Sequence, residues 1–308
     1  MMQPDANQAD QLPSNSRTVR LNATDEGSTP LPFILVTNDD GIHSPGLHAA
    51  VRAVCDLGEV IVAAPRRQQT GASRSYPPVR DKAIYREEIP VNCHTVTAYG
   101  FETSPAQAVL AALLDLVPRP PDLLVSGINF GENLGTGVTI SGTIGAAIEA
   151  ASLGVPGLAV SLETPKEFHY QHSDEVDFSA AAAFTRRFAQ VVLSGGLPPD
   201  VDILKIDVPS DATPQTPWQL VRVSRQRYHV PLPSGRLSLS DQKGIDYAQA
   251  IDWETLEPDS DIHALAVGRV VSVAPLSIDL TARVELDTLA ADILRREQSI
   301  SNPAPLQQ

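Results

Sequence analysis

Apolar residues along this chain gather into short unbroken runs that alternate with stretches of helical spacing. The first run, Phe33-Ile34-Leu35-Val36-Thr37, has the length and composition of a strand covered on both faces of a parallel sheet. Leu47, Ala50, Val51 and Val54 then share one face of a helix predicted over 46–57, and Glu59 to Ala64 forms a second strand, which closes a βαβ unit. The alternation continues with a helix at about 104–116, a buried strand at 122–126, a helix of small residues over 142–153, a strand at 157–161, a helix near 177–193 and a strand over 201–208. Strands and helices taking turns predict an α/β fold, a three-layer, doubly wound and mostly parallel sheet. Beyond Pro209 the pattern changes to Pro- and Gln-rich connections, short β-like runs such as 218–223 and polar loops, which predict a protruding antiparallel β excursion over about 209–260. Arg269 to Pro275 reads as a late strand returning to the main body.

The ends look different. Residues 1–30 are rich in Gln, Asn, Asp, Ser, Thr and Pro without a sustained apolar period, which predicts a disordered tail; an ordered domain over 31–297 and a loose tail over 298–308 follow. A chain of 308 residues with 42% hydrophobic content can bury one large α/β core. Lys and Arg number 23 against 37 Asp and Glu, a net charge of -14, which argues against binding DNA or RNA duplexes or an anionic membrane. Any phosphate chemistry must therefore rest on local donors. Cys55 and Cys93 form neither a CxxC motif nor a disulfide framework, so a reducing cytoplasm is expected. No apolar run approaches the roughly 20 residues that span a bilayer, and the N-terminus lacks the apolar core of a signal peptide.

In open α/β sheets, ligands bind beyond the carboxyl ends of the strands. Four segments stand there. Thr37-Asn38-Asp39-Asp40-Gly41 places adjacent carboxylates where the first strand stops; their repulsion is relieved either by a hard divalent cation or, more blandly, by helix-capping and turn duty. The segment Ala64 to Ser73 carries Arg66, Arg67, Gln68, Gln69, Thr70 and Ser73 out of the second strand. Ser126 to Gly135 is a Gly-rich loop offering Asn129 and Asn133, and Ser141-Gly142-Thr143 opens a helix whose N-terminal amides favour an anion. Each alone is explained by turns, caps or a solvated basic pair; their joint placement at strand ends points to phosphate chemistry. The first βα turn has no GxGxxG and carries acids where a pyrophosphate would sit, which argues against a dinucleotide dehydrogenase. His43 lies three residues beyond the double aspartate, where it either reaches the substrate or sits on the surface, and the remaining histidines form no zinc-type cluster.

With these residues in view, the chain resembles the SurE (survival protein E) family of 5′/3′-nucleotidases. Leu35 to Gly46 matches the family's Asn-Asp-Asp-Gly opening, Ser126 to Gly135 its Ser-Gly-Ile-Asn-x-Gly-x-Asn-Leu-Gly segment, and Ser141-Gly142-Thr143 its Ser-Gly-Thr; Leu153 to Leu162 follows too. The resemblance spans roughly residues 33 to 285 and implies a Rossmann-like core.

The resemblance implies that Asp39, Asp40, Thr70 and Asn129 hold one divalent metal ion per subunit, Mg²⁺ or Mn²⁺, and that Asn133, Ser141, Gly142 and Thr143 surround the phosphate. Asp39, Asp40 and Asn133 become the catalytic candidates, for metal-assisted attack of water on a nucleoside monophosphate, with either aspartate orienting the water. Assembly as a homodimer or homotetramer is implied, with the β excursion and C-terminal arm in the contacts and Tyr228 and Tyr247 near a site completed by another subunit. Three positions depart from the family pattern. Thr70 stands where a serine is usual, Gln107 where an aspartate is, and Ile140 where a tyrosine is, so a broad phosphatase or exopolyphosphatase and a non-catalytic nucleotide-binding regulator are the alternatives.

Overall fold

The computed structural model describes residues 30–91 and 94–301. The expected tail over 1–30 lies, except for Pro30, outside the described residues, as does the end of the chain from 302 onward.

Strand β1 (Phe33–Thr37) is buried at every position, because the sheet is covered on both sides. Its residues divide between two cores. Ile34 and Val36 pack with α1 (Pro45–Val54) and α4 (Ser179–Gly195), whereas Leu35 packs with α2 (Pro105–Ala111) and α3 (Gly142–Ala151). The strands between these helix layers are β2 (Glu59–Pro65), β3 (Tyr85–Val91), β4 (His94–Phe101), β5 (Leu123–Phe130), β6 (Gly157–Leu162) and β7 (Ile203–Val208). They are joined by β8 (Trp218–Leu220) and β11 (Val271–Leu276) into one nine-stranded sheet of order β3-β4-β2-β1-β5-β6-β7-β11-β8. β1 pairs in parallel with β2 on one side and β5 on the other, so the crossovers diverge there and the carboxyl ends of β1 and β5 form the crevice expected to bind ligands. The three-layer, doubly wound, mostly parallel architecture matches the expectation.

Helix starts follow local chemistry. Pro45 opens α1, where its missing N–H costs no hydrogen bond, and the Ser141 hydroxyl accepts from the Ile144 amide at the start of α3. Small residues let α3 lie close to its neighbours: a Cβ on Gly145 would sit 2.3 Å from the Ser73 backbone.

Four details differ from expectation. The hairpin β3–β4 was not anticipated, and one π-helical turn, Ala112–Leu116, ends the helix begun by α2. Within 209–260, β8 pairs in parallel with β11 at the edge of the main sheet; only β9 (His229–Leu232) and β10 (Asp246–Gln249) form a separate antiparallel ribbon. Finally, after the short helix α5 (Asp261–Ala266), α6 (Leu286–Ser301) runs through the boundary expected at 298, because its residues keep helical spacing across it. Among the described residues no helix is long and apolar enough to cross a membrane.

Candidate active site

The turn beyond β1 is made by Asn38, not by the aspartates. Its side chain accepts from the Gly41 amide at 3.2 Å and donates to the Gly41 carbonyl at 3.1 Å, a local bond pattern that fixes a turn. Asp39 and Asp40 are thereby released from the bland role: neither caps α1, whose N-cap residue is Ser44.

Both acids are buried, at 4% and 2% exposure, and among the described residues no cationic side chain stands among the groups acting on either. Asp39 lies against the start of α3, where Oδ1 accepts from the Thr143 hydroxyl at 2.6 Å. Gly142 is required here for space, since a Cβ would come within 2.6 Å of Asp39 Oδ2. Burial pushes the Asp39 carboxyl up to about 6, opposed by the Thr143 hydroxyl and by the Gly142 and Thr143 amides. Asp40 accepts from the Phe130 amide and from Gln68 Nε2, each at 3.1 Å. Burial, and then the charge of Asp39, raise its carboxyl well above the usual range. Two desolvated acids that sense one another without a counter-charge fit a divalent cation, which would restore the charge balance.

The remaining oxygen donors suit a hard cation as well. Asn129 commits Nδ2 to the carbonyls of Phe130 and Gly131, at 3.2 and 2.6 Å, which leaves Oδ1 as its donor atom. Thr70 is exposed in the loop after β2, and the same cavity is lined by Asp39, Thr70, Asn129, Asn133 and Ser141. Among the described residues no group of three or more His, Cys, Asp or Glu is arranged to hold a metal ion; the expected set has only two carboxylates, completed by amide and hydroxyl oxygens.

The four residues expected around the phosphate divide into two pairs. Gly142 and Thr143 are occupied with Asp39, so in this arrangement they hold the acid rather than face open space. Ser141 caps α3 and lines the cavity, and Asn133 reaches the cavity while donating Nδ2 to Ser161 Oγ at 2.9 Å. Of the three departures, Ile140 lines the cavity and is exposed, Thr70 lines it, and Gln107 is turned elsewhere, accepting from Thr103 at the start of α2. His43 is on the surface, 3.4 Å from Glu87.

Two groupings escaped the sequence reading. Beneath Asn133 lies a wholly buried set, Lys205 with Asp207 and Asp261. Lys205 Nζ donates to the Asn133 carbonyl at 2.9 Å, Asp207 accepts the Asn133 amide at 2.7 Å, and Asp261 accepts the Gly135 amide at 3.1 Å. The loop that carries the site amides is thus pinned to β7 and α5 by charge-assisted bonds. Glu132, His169, His229 and Tyr247 form a second grouping in the cavity lining, which the sequence signals only through the acid inside the Gly131-Glu132-Asn133 turn. Tyr247 therefore belongs to this chain's own cavity, and Tyr228 is buried beside it.

The cavity measures 410 Å³, in the range of small-molecule sites. Comparison with known proteins agrees with this geometry. The family model described as Survival protein SurE matches residues 34–230. A protein named 5′-nucleotidase SurE from Thermococcus gammatolerans is 44% identical over 261 residues, covering 83% of this chain and 94% of that protein. One of the same name from Archaeoglobus fulgidus is 42% identical over 257 residues, covering 82% and 94%. A crystal structure of SurE protein from Aquifex aeolicus superimposes with a TM-score of 0.66 at 27% identity, covering 86% of this chain and all of that one. Acids, amides and helix start stand together at one crevice, and the likeness runs along most of the chain: it belongs to the SurE family.

Proposed function

We propose that the chain is a divalent-metal-dependent phosphomonoesterase that hydrolyses nucleoside 5′-monophosphates to nucleoside and phosphate, with 3′-monophosphates as further candidate substrates. The observation that carries this reading is the pair Asp39 and Asp40, buried with no cationic side chain acting on either among the described residues, with Asp39 in the lining of a nucleoside-sized cavity. An anion site alone would gain nothing from carboxylates beside a phosphate. Asp39, Asp40, Asn129 and Thr70 would hold the ion, and Mg²⁺ or Mn²⁺ suits such oxygen donors. When bound, the ion would supply charge neutralisation and make water at the site more acidic, so that it is deprotonated nearer to neutral pH.

The chain's own groups do the rest. Thr143 and the Gly142 amide keep Asp39 in place, and the Phe130 amide with Gln68 keeps Asp40 in place. One carboxylate oxygen left over from the metal orients the attacking water and takes its proton. Asn133 and Ser141, facing the cavity, donate to the phosphoryl oxygens as charge builds there. The family names of the relatives support the nucleotide as substrate. We also propose a cytoplasmic homodimer or homotetramer. The apolar stripe Leu286, Leu289 and Ile293 exposed on α6 supports assembly of this kind.

The test is phosphate release from AMP and GMP by the purified chain. Activity with Mg²⁺ or Mn²⁺, its loss in EDTA and its recovery on adding metal back are expected. Asp39→Asn or Asp40→Asn should lower kcat at least ~10²-fold, the scale of losing a positioned acid-base group. Tight nucleotide binding without any turnover would replace the reading with a regulator. Equal turnover of nucleotides and sugar phosphates would widen it to a general phosphatase, which the exposed Ile140 at the cavity rim favours as second reading.

A further inference from the structure

We infer that His229, held by the Glu132 carboxylate, is the general acid that protonates the leaving oxygen of the substrate. The inference rests on the phosphomonoesterase reading and deepens it. Cleavage of the ester breaks the bond between phosphorus and the ribose oxygen, and that oxygen leaves with the electron pair. An alkoxide is a poor leaving group, so a proton must reach it as the bond breaks.

Few groups around the cavity are equipped to give one. Asp39 and Asp40 are already committed, to the α3 start and to Gln68 and the Phe130 amide. Arg227 lines the cavity, but a guanidinium does not release its proton near neutral pH. Tyr247 is engaged through its hydroxyl, 2.7 Å from His169 Nδ1, and burial pushes its phenol up, away from the neutral range. His169 has both ring nitrogens in use, Nδ1 at Tyr247 and Nε2 at 3.2 Å from the Thr164 carbonyl, and burial lowers its affinity for a proton.

His229 is different. It lines the cavity with its side chain 30% exposed, Nε2 stands 3.4 Å from Glu132 Oε1, and Nδ1 has no hydrogen-bond partner among the described residues. The ring is packed edge-on by Tyr228, Tyr247 and His169, with centroids 4.8, 5.2 and 5.9 Å away, so its orientation is fixed.

Glu132 holds the ring from the other side of the imidazole. Its side chain is 6% exposed, its second oxygen, Oε2, is buried without a close hydrogen-bond partner among the described residues, and the Tyr228 hydroxyl also acts on the carboxylate. A carboxylate beside one ring nitrogen fixes the imidazole's orientation and leaves the other nitrogen to face a substrate, as in His–carboxylate pairs at other active sites. The remaining charges near the ring are the pair Lys166 and Asp246 beyond Tyr247, which offset one another, and Arg227 next but one in the chain. During turnover the imidazolium gives its proton to the ribose oxygen and becomes neutral. The attacking water gives a proton to an aspartate, and exchange with solvent restores both groups.

Two substrates separate this role from a structural one: AMP, and its analogue with sulfur in place of the bridging 5′ oxygen, whose thiolate leaves without protonation. With metal present, His229→Asn should lower kcat on AMP by ~10²-fold or more while changing kcat on the thio analogue by less than about threefold. Glu132→Gln should weaken AMP turnover in the same selective way, to a smaller extent. Retained activity on the thio analogue certifies that the variants are folded. Equal losses on both substrates, or no loss on AMP, would overturn the assignment and leave the phosphatase reading standing. A wild-type chain inactive on both substrates would instead remove the parent reading, and this one with it.

Discussion

The molecule contains two groups built to the same recipe, one cation between two carboxylates, and they behave in opposite ways. Lys205 lies between Asp207 and Asp261 with all three side chains at 0–1% exposure. Arg269 lies between Glu163 and Asp211, with side chains 35%, 20% and 65% exposed. At the outer group, hydrogen bonds from Arg269 and Ser210 hold Glu163 below its ordinary value against the opposing pull of burial, and Asp211 is lowered chiefly by Arg269. At the inner group burial wins, and Asp207 is pushed up to about 6 despite its lysine. One positive charge cannot neutralise two carboxylates where water is excluded.

The difference concerns function, because the inner group is the one that carries the site. Lys205 and Asp207 bind the two sides of the Asn133 peptide unit region, and Asp261 binds Gly135. The outer group ties the β6 end to the turn after β7 and to the end of α5, away from the cavity. The largest expected effect is therefore at Lys205. Lys205→Met strands two buried carboxylates and should cost about 3–5 kcal/mol, read from the midpoint of denaturant unfolding. It should also lower kcat on AMP, since the Asn133 loop loses its anchor. A loss below about 1 kcal/mol would mean that the two groups do not differ in the way their burial implies.

The second effect is a difference in pH dependence. Asp207 keeps its proton in the folded state up to about 6, whereas a free aspartate loses it near 3.8, so its contribution to stability falls as pH rises between those values. Glu163 does the reverse: its contribution is present above the unfolded value of 4.5 and is lost as pH falls through its lowered folded value. Wild type should therefore gain on Asp207→Asn as pH drops from 6 to 4, and should lose its advantage over Glu163→Gln as pH drops below 4.5. Parallel stability curves for the two variants would refute the assignment of opposite shifts.

How these features stand in the sequence explains why one part of the site was legible and another was not. Strands β1, β5 and β6 announce themselves through apolar runs because both faces are covered, and Asp39 and Asp40 stand out as charges where such a run stops. Lys205 and Asp207 are hidden inside Ile203-Leu204-Lys205-Ile206-Asp207-Val208, where alternation suggests one wet face although all six positions are buried. Their partner Asp261 starts α5, with no local spacing to connect it to β7. Hairpin β3–β4 was missed for a related reason. Arg86, Glu87, Glu88 and Pro90 give β3 the polar, proline-bearing character of an edge strand rather than an apolar run. Thr143 was read as a phosphate donor because a helix start attracts anions; the anion found there is the chain's own Asp39. The wall of Glu132, His229 and Tyr247 joins a Gly-rich turn to a β ribbon about a hundred residues later, a contact that only the fold creates.

The third effect is smaller. Arg269→Ala removes contacts with Glu163 at 2.7 and 3.0 Å and with Asp211 at 2.5 Å. Partly solvated pairs are worth about 0.2–1 kcal/mol each, so the variant should lose about 1–2 kcal/mol, and its kcat on AMP should stay within about twofold of wild type.

The smallest effect decides whether exposure is the cause of all the others. Screening shortens the reach of a charge from about 10 Å at 0.1 M salt to about 3 Å at 1 M, but only where ions and water can enter. The gap in stability between wild type and Arg269→Ala should then narrow by a few tenths of a kcal/mol across that range, roughly the screened share of two exposed pairs. Under the same conditions the gap for Lys205→Met should stay constant, because no ion approaches side chains at 0–1% exposure. General effects of salt on folding act on wild type and variant alike and cancel in each gap. If the Lys205 gap narrowed in parallel with the Arg269 gap, water would have to reach the inner group, and the raised value of Asp207 would lose its physical cause. The anchoring of Asn133 would then rest on hydrogen-bond geometry alone, and replacing Lys205 would disturb catalysis no more than replacing Arg269.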